Sequence, residues 1–386
     1  MTHSSRITRA TRAGIESDPV TGAVIPPIHL STNYAFREFG KPRLHDYTRA
    51  ANPTREMLSD ALTTLEGGAG GVACGSGMAA ITTVLLAELK AGDSIAIPHD
   101  CYGGSWRLFH RLADKGHFTI HTIDFTDTDL AVTALRETRP TLVWLETPSN
   151  PLLRITDLEP VIAAAKSVGA VTVVDNTFLT PLLQLPLALG ADAVMHSTTK
   201  YLNGHSDVIG GALVAATAER AELYDFWAKT SGTMGNAWDA WLTVRGLRTL
   251  RVRMDAHEVG AMAVAEALAA HPAVKTVHYP GLPDHPGHEI AARQQAGFGG
   301  MVSFELADEA AVRAFVEGLE CFSLAESLGG TESLVSHPIT MTHASMSADA
   351  LAEAGLTDGL LRLSIGLEDP QDLVADLVAG LDRAAG

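Results

Sequence analysis

Cysteine is scarce in this chain: three in 386 residues, Cys74, Cys101 and Cys321, far apart and without metal-ligand spacing. That excludes a disulfide-built scaffold and a cysteine-based metal centre, and it reads as free thiols in a reducing, cytoplasmic compartment. Basic residues are few as well, 28 Lys and Arg against 45 Asp and Glu, and the net charge of −17 comes with no dense cationic cluster. A non-specific grip on nucleic acid or on an anionic membrane surface is therefore not expected. No stretch reaches the roughly 18 uninterrupted apolar residues of a membrane-spanning helix. What is present, 46% apolar and 19% charged residues, is the balance of a globular enzyme long enough for two domains. The opening THSSRITRATRAG is basic and free of acids, like an organelle transit peptide. It leads without a break into VIPPIHLSTNY, which reads as an ordered arm.

From about residue 56 the pattern alternates helical and strand-like segments. SIAIP, TLVWLET, AVTVVD, DAVMHS and GGALVAA are short, nearly continuous apolar runs, as expected of strands buried on both faces. Helical stretches such as LEPVIAAAKSVG lie between them, which predicts an α/β fold with a large, mainly parallel sheet. After the long helical stretch that follows TVRGL the style changes, and VKTVHYP and MVSFELA read as strands of a smaller C-terminal α/β domain. The expected division is an arm over 1–50, a cofactor-binding domain over 51–256 and a C-terminal domain over 257–386. In parallel sheets ligands collect at the carboxyl ends of strands. The segments CGSGM, HDCYGGS, ETPSN, VVDNTF and HSTTK all fall at such ends.

Two of these ends carry charge where burial makes charge costly. Asp175 follows five apolar residues in AVTVVD, a place for a capping or salt-bridged carboxylate, or for one that holds a cationic heterocycle nitrogen. Lys200 ends STTK. Of the seven lysines it alone follows a strand and has hydroxyls beside it, Ser197 and Thr199, able to donate to a phosphate. An aspartate that keeps a pyridine ring protonated and a lysine that forms a Schiff base are what pyridoxal phosphate requires. Gly75, Ser76, Gly77 and Met78 open a helix whose free amides favour an anion. The same CGSGMAA also satisfies the loose dinucleotide pattern G-x-G-x-x-A, with Asp93 at a suitable distance, so a nicotinamide-dependent oxidoreductase is the rival reading. Tyr102 suits stacking on a flat ring and proton transfer, or a merely interfacial place. Arg362, inside the alternating run LLRLSIG, needs an anion, either an internal acid or a substrate carboxylate. HPGHE (285–289) is a weak metal motif, since Pro286 and Gly287 break a helical histidine pair and no third ligand is near. No metal is expected.

Together STTKYLNGHSD, VVDNTF, ETPSNPLL, HDCYGGS, HDYTRAANPTRE and AESLGGTESL, in that chain-wide set, resemble the Cys/Met-metabolism family of pyridoxal-phosphate enzymes. HDCYGGSWRL, SNPLLRI and KYLNGHSDV are most similar to its bacterial cystathionine γ-synthase branch. The resemblance implies the transferase fold type I and a homotetramer of dimers that share active sites. It implies that Tyr47 and Arg49 reach the cofactor phosphate of a neighbouring subunit, and that Gly77, Met78, Ser197 and Thr199 complete that phosphate site. It makes Tyr102 the ring-stacking tyrosine, Asp175 the ring-nitrogen partner and Lys200 the Schiff-base lysine, with Asn150, Ser327 and Arg362 around the substrate carboxylate. The implied reaction is γ-replacement, in which cysteine displaces the acyl group of an activated homoserine to give cystathionine, within methionine biosynthesis by trans-sulfuration. Cystathionine γ-lyase and acyl-homoserine sulfhydrylase share the same core residues and stay open. For the distal groups, Asp46 or Glu326 would meet the ammonium of incoming cysteine and Arg107 the carboxylate of a succinyl ester. Gly104 stands where the family's methionine γ-lyases carry cysteine, which counts against that branch. Ala50 and Ala51 depart from the family's usual residues and leave the choice of succinyl or acetyl ester open.

Overall fold

The structure is a computed structural model that describes residues 4–16, 18–344 and 346–386; residues 1–3 of the basic N-terminal segment lie outside this set. Seven strands, β1 (Gly70–Cys74), β2 (Ser94–Pro98), β3 (Thr119–Ile123), β4 (Leu142–Glu146), β5 (Val171–Asp175), β6 (Ala193–His196) and β7 (Gly211–Ala215), form one sheet. Their order is β1-β7-β6-β5-β4-β2-β3. All pairings from β6 to β3 are parallel, and β7 runs antiparallel to both its neighbours. Every residue of β4, β6 and β7 is buried. Adjacent residues of β4 serve opposite layers: Trp144 packs with Ile81 and Phe109 on one face, Leu145 with Phe125 and Ile162 on the other. A continuous apolar run is thus what a strand between two helical layers needs, each fully buried Leu contributing about 1.5–3 kcal/mol. β3 was not among the strands expected. Its TIHTI sequence lies at the sheet edge with only Ile123 buried, so it lacks the apolar continuity of the central strands.

A second sheet holds β8 (Thr276–His278), β9 (Met301–Glu305), β10 (Phe322–Leu324), β11 (Ser333–Ser336) and β12 (Leu360–Ser364), in the order β10-β11-β12-β9-β8. Helices Leu250–Ala270 and Pro370–Ala385 supply Val264, Leu268, Leu373 and Leu377 to its core. The chain passes towards this sheet along helix Leu250–Ala270, within which the division proposed at 256/257 falls. The alternation in LLRLS does not mark a wet face: all five residues of β12 are buried. Arg362 sits opposite Ser303 of β9 and Ser336 of β11.

Candidate active site

The carboxyl ends of β4, β5 and β6 and the second sheet's Arg362 meet at a cavity of about 260 Å³. Strand pairing brings two acids there side by side, because Glu146 and Asp175 are register partners at the last residues of β4 and β5. Burial raises both carboxyls, Glu146 well above its ordinary range with the charge of Asp175 adding to the effect. Glu146 has its oxygens occupied by the backbone amides of Tyr102 (2.9 Å) and Asn150 (3.0 Å). Among the described residues Asp175 accepts from Thr177, through the backbone amide at 2.9 Å and the hydroxyl. Two acids at the end of a hydrophobic sheet leave the cavity floor short of a cation, and a protonated pyridine nitrogen at Asp175 fits that need.

The phosphate end is built by close approach. Helix Gly77–Glu88 begins here, capped by Ser76, whose hydroxyl accepts from the Ala79 amide at 3.0 Å. That leaves the first-turn amides of Gly77 and Met78 for an anion. A Cβ on Gly77 would stand 2.9 Å from Ser197 Cβ and 3.1 Å from its hydroxyl, so glycine is what lets the helix start and the Ser197 side chain face one space. Thr177 fixes Ser197 from below by accepting from its amide at 2.8 Å. The Thr199 hydroxyl is already engaged with Gly210, donating to its carbonyl at 3.2 Å and accepting from its amide at 3.0 Å. The residues present fit a phosphorylated pyridine aldehyde.

Lys200 Nζ donates to Ser327 Oγ at 2.7 Å. Burial, aided by the positive charge of Arg362, lowers the amine to about 8, within reach of the free base near neutrality. Arg362 donates to Asn150 Oδ1 (2.7 Å) and to the Ser327 carbonyl (3.1 Å), while its buried Nε has no partner among the described residues. Ser327 adopts φ +88°, a region that favours glycine, and there it meets both cations at once. An unpaired N–H on a fully buried guanidinium is the fit for a substrate carboxylate. Tyr102 precedes helix Gly103–Asp114. Its phenol is raised by burial, which keeps it protonated, and the ring folds back so far that a Cβ on Gly104 would come within 2.5 Å of it.

Of the residues singled out from the sequence, Gly77, Met78, Tyr102, Asn150, Asp175, Ser197, Thr199, Lys200, Glu326, Ser327 and Arg362 line this cavity. Asp46, Tyr47, Arg49 and Arg107 do not. Tyr47 and Arg49 lie exposed on the N-terminal arm, the guanidinium 5.4 Å from the Tyr47 ring centre and bonded to the Lys229 carbonyl. Arg107 is exposed on helix Gly103–Asp114, close enough for its charge to act on Tyr102. Glu146 escaped the sequence reading, although a carboxylate closing TLVWLE carries the same signal as Asp175. Thr342 also lines the cavity and has no local signature. The dinucleotide reading fails on topology, since β1 lies at the sheet's edge beside antiparallel β7 rather than being the first parallel strand of a doubly wound sheet. Among the described residues no cluster of His, Cys, Asp and Glu could hold a metal, and no helix is long and apolar enough to cross a membrane. In HPGHE, His285 accepts from the Gly287 amide and His288 bonds the Pro280 carbonyl.

Cystathionine γ-synthase of Escherichia coli K12 is 52% identical over 98% of both chains. A cystathionine β-lyase of Lactococcus lactis is 45% identical over 97% of this chain and 98% of its own. The crystal structure of cystathionine γ-synthase from Xanthomonas oryzae pv. oryzae, in complex with aminoacrylate and cysteine, superposes with a TM-score of 0.97 at 59% identity over 99% of each chain. The family profile of the Cys/Met metabolism PLP-dependent enzymes matches residues 7–382. This chain is a pyridoxal-phosphate-dependent enzyme of the Cys/Met metabolism family.

Proposed function

We propose that the enzyme carries out γ-replacement, converting O-succinyl-L-homoserine and L-cysteine to L-cystathionine and succinate. The unpaired Nε of Arg362 beside the Lys200 amine carries the assignment of an amino-acid substrate. The γ-synthases among its relatives favour replacement over elimination. Pyridoxal phosphate supplies, when bound, the electron sink that acidifies the substrate's α- and β-carbons. Asp175 would face the ring nitrogen with its negative charge, and Gly77, Met78 and Ser197 would hold the phosphate, joined by Thr199 only if its hydroxyl turns from the Gly210 carbonyl. Arg362 and Asn150 orient the α-carboxylate, with Ser327 bracing the guanidinium. Lys200 takes the α-proton as a free amine and returns it at the end. Tyr102, protonated and lining the same cavity, would give and take protons at the leaving ester and the entering sulfur. Glu146 positions Tyr102 and Asn150 through their amides.

The exposed Tyr47 and Arg49, on an arm that also exposes Val20, Phe39 and Leu44, support a homotetramer in which the arm completes a neighbour's phosphate site. A γ-lyase or sulfhydrylase activity is the second reading, favoured by the β-lyase at 45% identity, which places eliminating enzymes close by. Incubation with O-succinylhomoserine, with and without cysteine, separates them. Cystathionine formed only with cysteine supports the proposal; 2-oxobutanoate as the sole product in both cases refutes it.

A further inference from the structure

The loop after β11 contributes one cavity residue that the reaction as described does not use, Thr342. Its hydroxyl lies 2.8 Å from Nδ1 of His343, and Nε2 of that ring lies 3.2 Å from the backbone carbonyl of Asn150. A carbonyl oxygen only accepts, so Nε2 must carry hydrogen. His343 is fully buried, and burial, followed by the charge of Arg362, lowers it to about 4, so the ring is neutral and Nδ1 is bare. The Thr342 hydroxyl therefore donates to Nδ1, and its lone pairs are all it has left to offer a ligand. The loop's position is fixed as well: a Cβ on Gly103 would come within 2.6 Å of the Thr342 carbonyl, so glycine beside Tyr102 is what admits the loop to this wall.

We infer that Thr342, locked as an acceptor by His343, binds the ammonium of the second amino-acid substrate, the incoming thiol. This rests on the γ-replacement reading and names a specificity determinant within it. The cavity's cations, Lys200 and Arg362, would serve the first substrate, whose carboxylate Arg362 would take. Acceptors on the remaining wall, Thr342 and the Glu326 carboxylate, match a second ammonium. A hydroxyl with its proton committed elsewhere rejects a hydrogen-bond acceptor and gains nothing from sulfide, which has no ammonium.

The test compares Thr342→Val, which keeps the shape and removes the acceptor, with Thr342→Ser, which keeps the hydroxyl. KM for L-cysteine should rise roughly tenfold or more in the valine variant, as for loss of a hydrogen bond to a charged group. KM for O-succinylhomoserine, the rate of 2-oxobutanoate release without cysteine, and KM for sulfide should shift far less than the cysteine KM, and serine should restore the cysteine KM. Should valine fail to fold, by thermal midpoint, Thr342→Ala is measured the same way. An unchanged cysteine KM, or an equal rise for ester and sulfide, overturns the inference. If the wild type itself forms no cystathionine, the functional reading falls and takes this one with it. If it does, and Thr342→Val matches it, this inference falls alone.

Discussion

The ends of β5 and β6 present polar side chains to both faces of one sheet, and the faces differ in what completes them. On the cavity face stand Asp175 and, beside it on β4, Glu146. On the opposite face, one residue further along, Asn176 and His196 meet Glu66, the last residue of helix Pro53–Glu66. There the protein matches acid to base: His196 Nε2 lies 2.6 Å from Glu66 Oε1, Asn176 donates to the same oxygen at 3.0 Å, and Gln184 links Asn176 to the Thr147 carbonyl, while Glu66 Oε2 and His196 Nδ1 find no hydrogen-bond partner among the described residues. On the cavity face the acids are raised, the lysine is lowered and a guanidinium N–H has no partner. Charge pairing, not a count of satisfied atoms, separates the two: the far face sets its acid against His196 and seals both, whereas the cavity face sets acid beside acid and leaves Asp175 and Lys200 partly open to a ligand. Substitutions on the cavity face should therefore cost activity and spare the fold, and those on the far face should do the reverse.

The sharpest contrast is Lys200→Ala. On the proposed roles, losing the base and the anchoring amine should take γ-replacement below detection, a loss of at least about 10³-fold, in a protein that unfolds no earlier than the wild type. More than a trace of cystathionine would break the assignment. Asp175→Asn comes next: turnover should fall roughly 10²–10³-fold, the usual loss when a preorganised charge is removed, while the cofactor-free fold holds. The sign follows from the raised carboxyls. Groups whose folded pKa exceeds the ordinary 3.8 and 4.5 contribute stability below those values and lose it as pH rises through the folded pKa. Cofactor-free wild type should thus lose stability as pH climbs from about 4 upward, and Asp175→Asn should flatten that loss in a thermal-midpoint series.

Glu66→Ala tests the other face. Removing Glu66 takes the shared acceptor from the buried His196 ring and the Asn176 amide, at a cost of about 1–3 kcal/mol for each donor left unsatisfied. The denaturation midpoint should drop well below that of Asp175→Asn, with kcat per folded molecule changed only a few-fold. Equal damage to kcat would mean that the two faces are not separate.

Much of this contrast was legible in the sequence. Asp175 and Lys200 stand out because a charge that ends a continuous apolar run has nowhere solvated to go, and the glycine turn before Met78 announces a helix start. Glu146 has the same signature, but the following Thr-Pro-Ser-Asn reads as an ordinary loop, and only register shows that it faces Asp175. β3 was hidden because an edge strand tolerates His121 and its threonines. Thr342 could not be found locally at all. Its role depends on a tautomer set by a carbonyl 193 residues from the ring it holds.

Trace acetylation of the cofactor-free protein sharpens the cavity side. Lys200 should label as its amine deprotonates, with a midpoint near 8 rather than 10.5. Arg362→Gln should move that midpoint upward, but only part of the way, because burial rather than the guanidinium is the larger cause. A midpoint unchanged from that of an exposed lysine would deny the amine its poise.

The smallest effect belongs to the rim, where Arg107 is exposed. An exposed charge pair is worth about 0.2–1 kcal/mol, so Arg107→Ala should raise KM for O-succinylhomoserine by only about two- to fivefold, and added salt should shrink the difference further. O-acetylhomoserine has no second carboxylate, so its KM should not change, and the variant should discriminate between the two esters less in favour of the succinyl one than the wild type does. Arg107 also acts on the Tyr102 phenol, lowering it against the effect of burial. If kcat falls for both esters alike, the arginine serves the tyrosine and not the acyl group. A wild type that prefers the acetyl ester removes the acyl role outright, and the recognition of that end of the substrate would pass to the cavity wall itself.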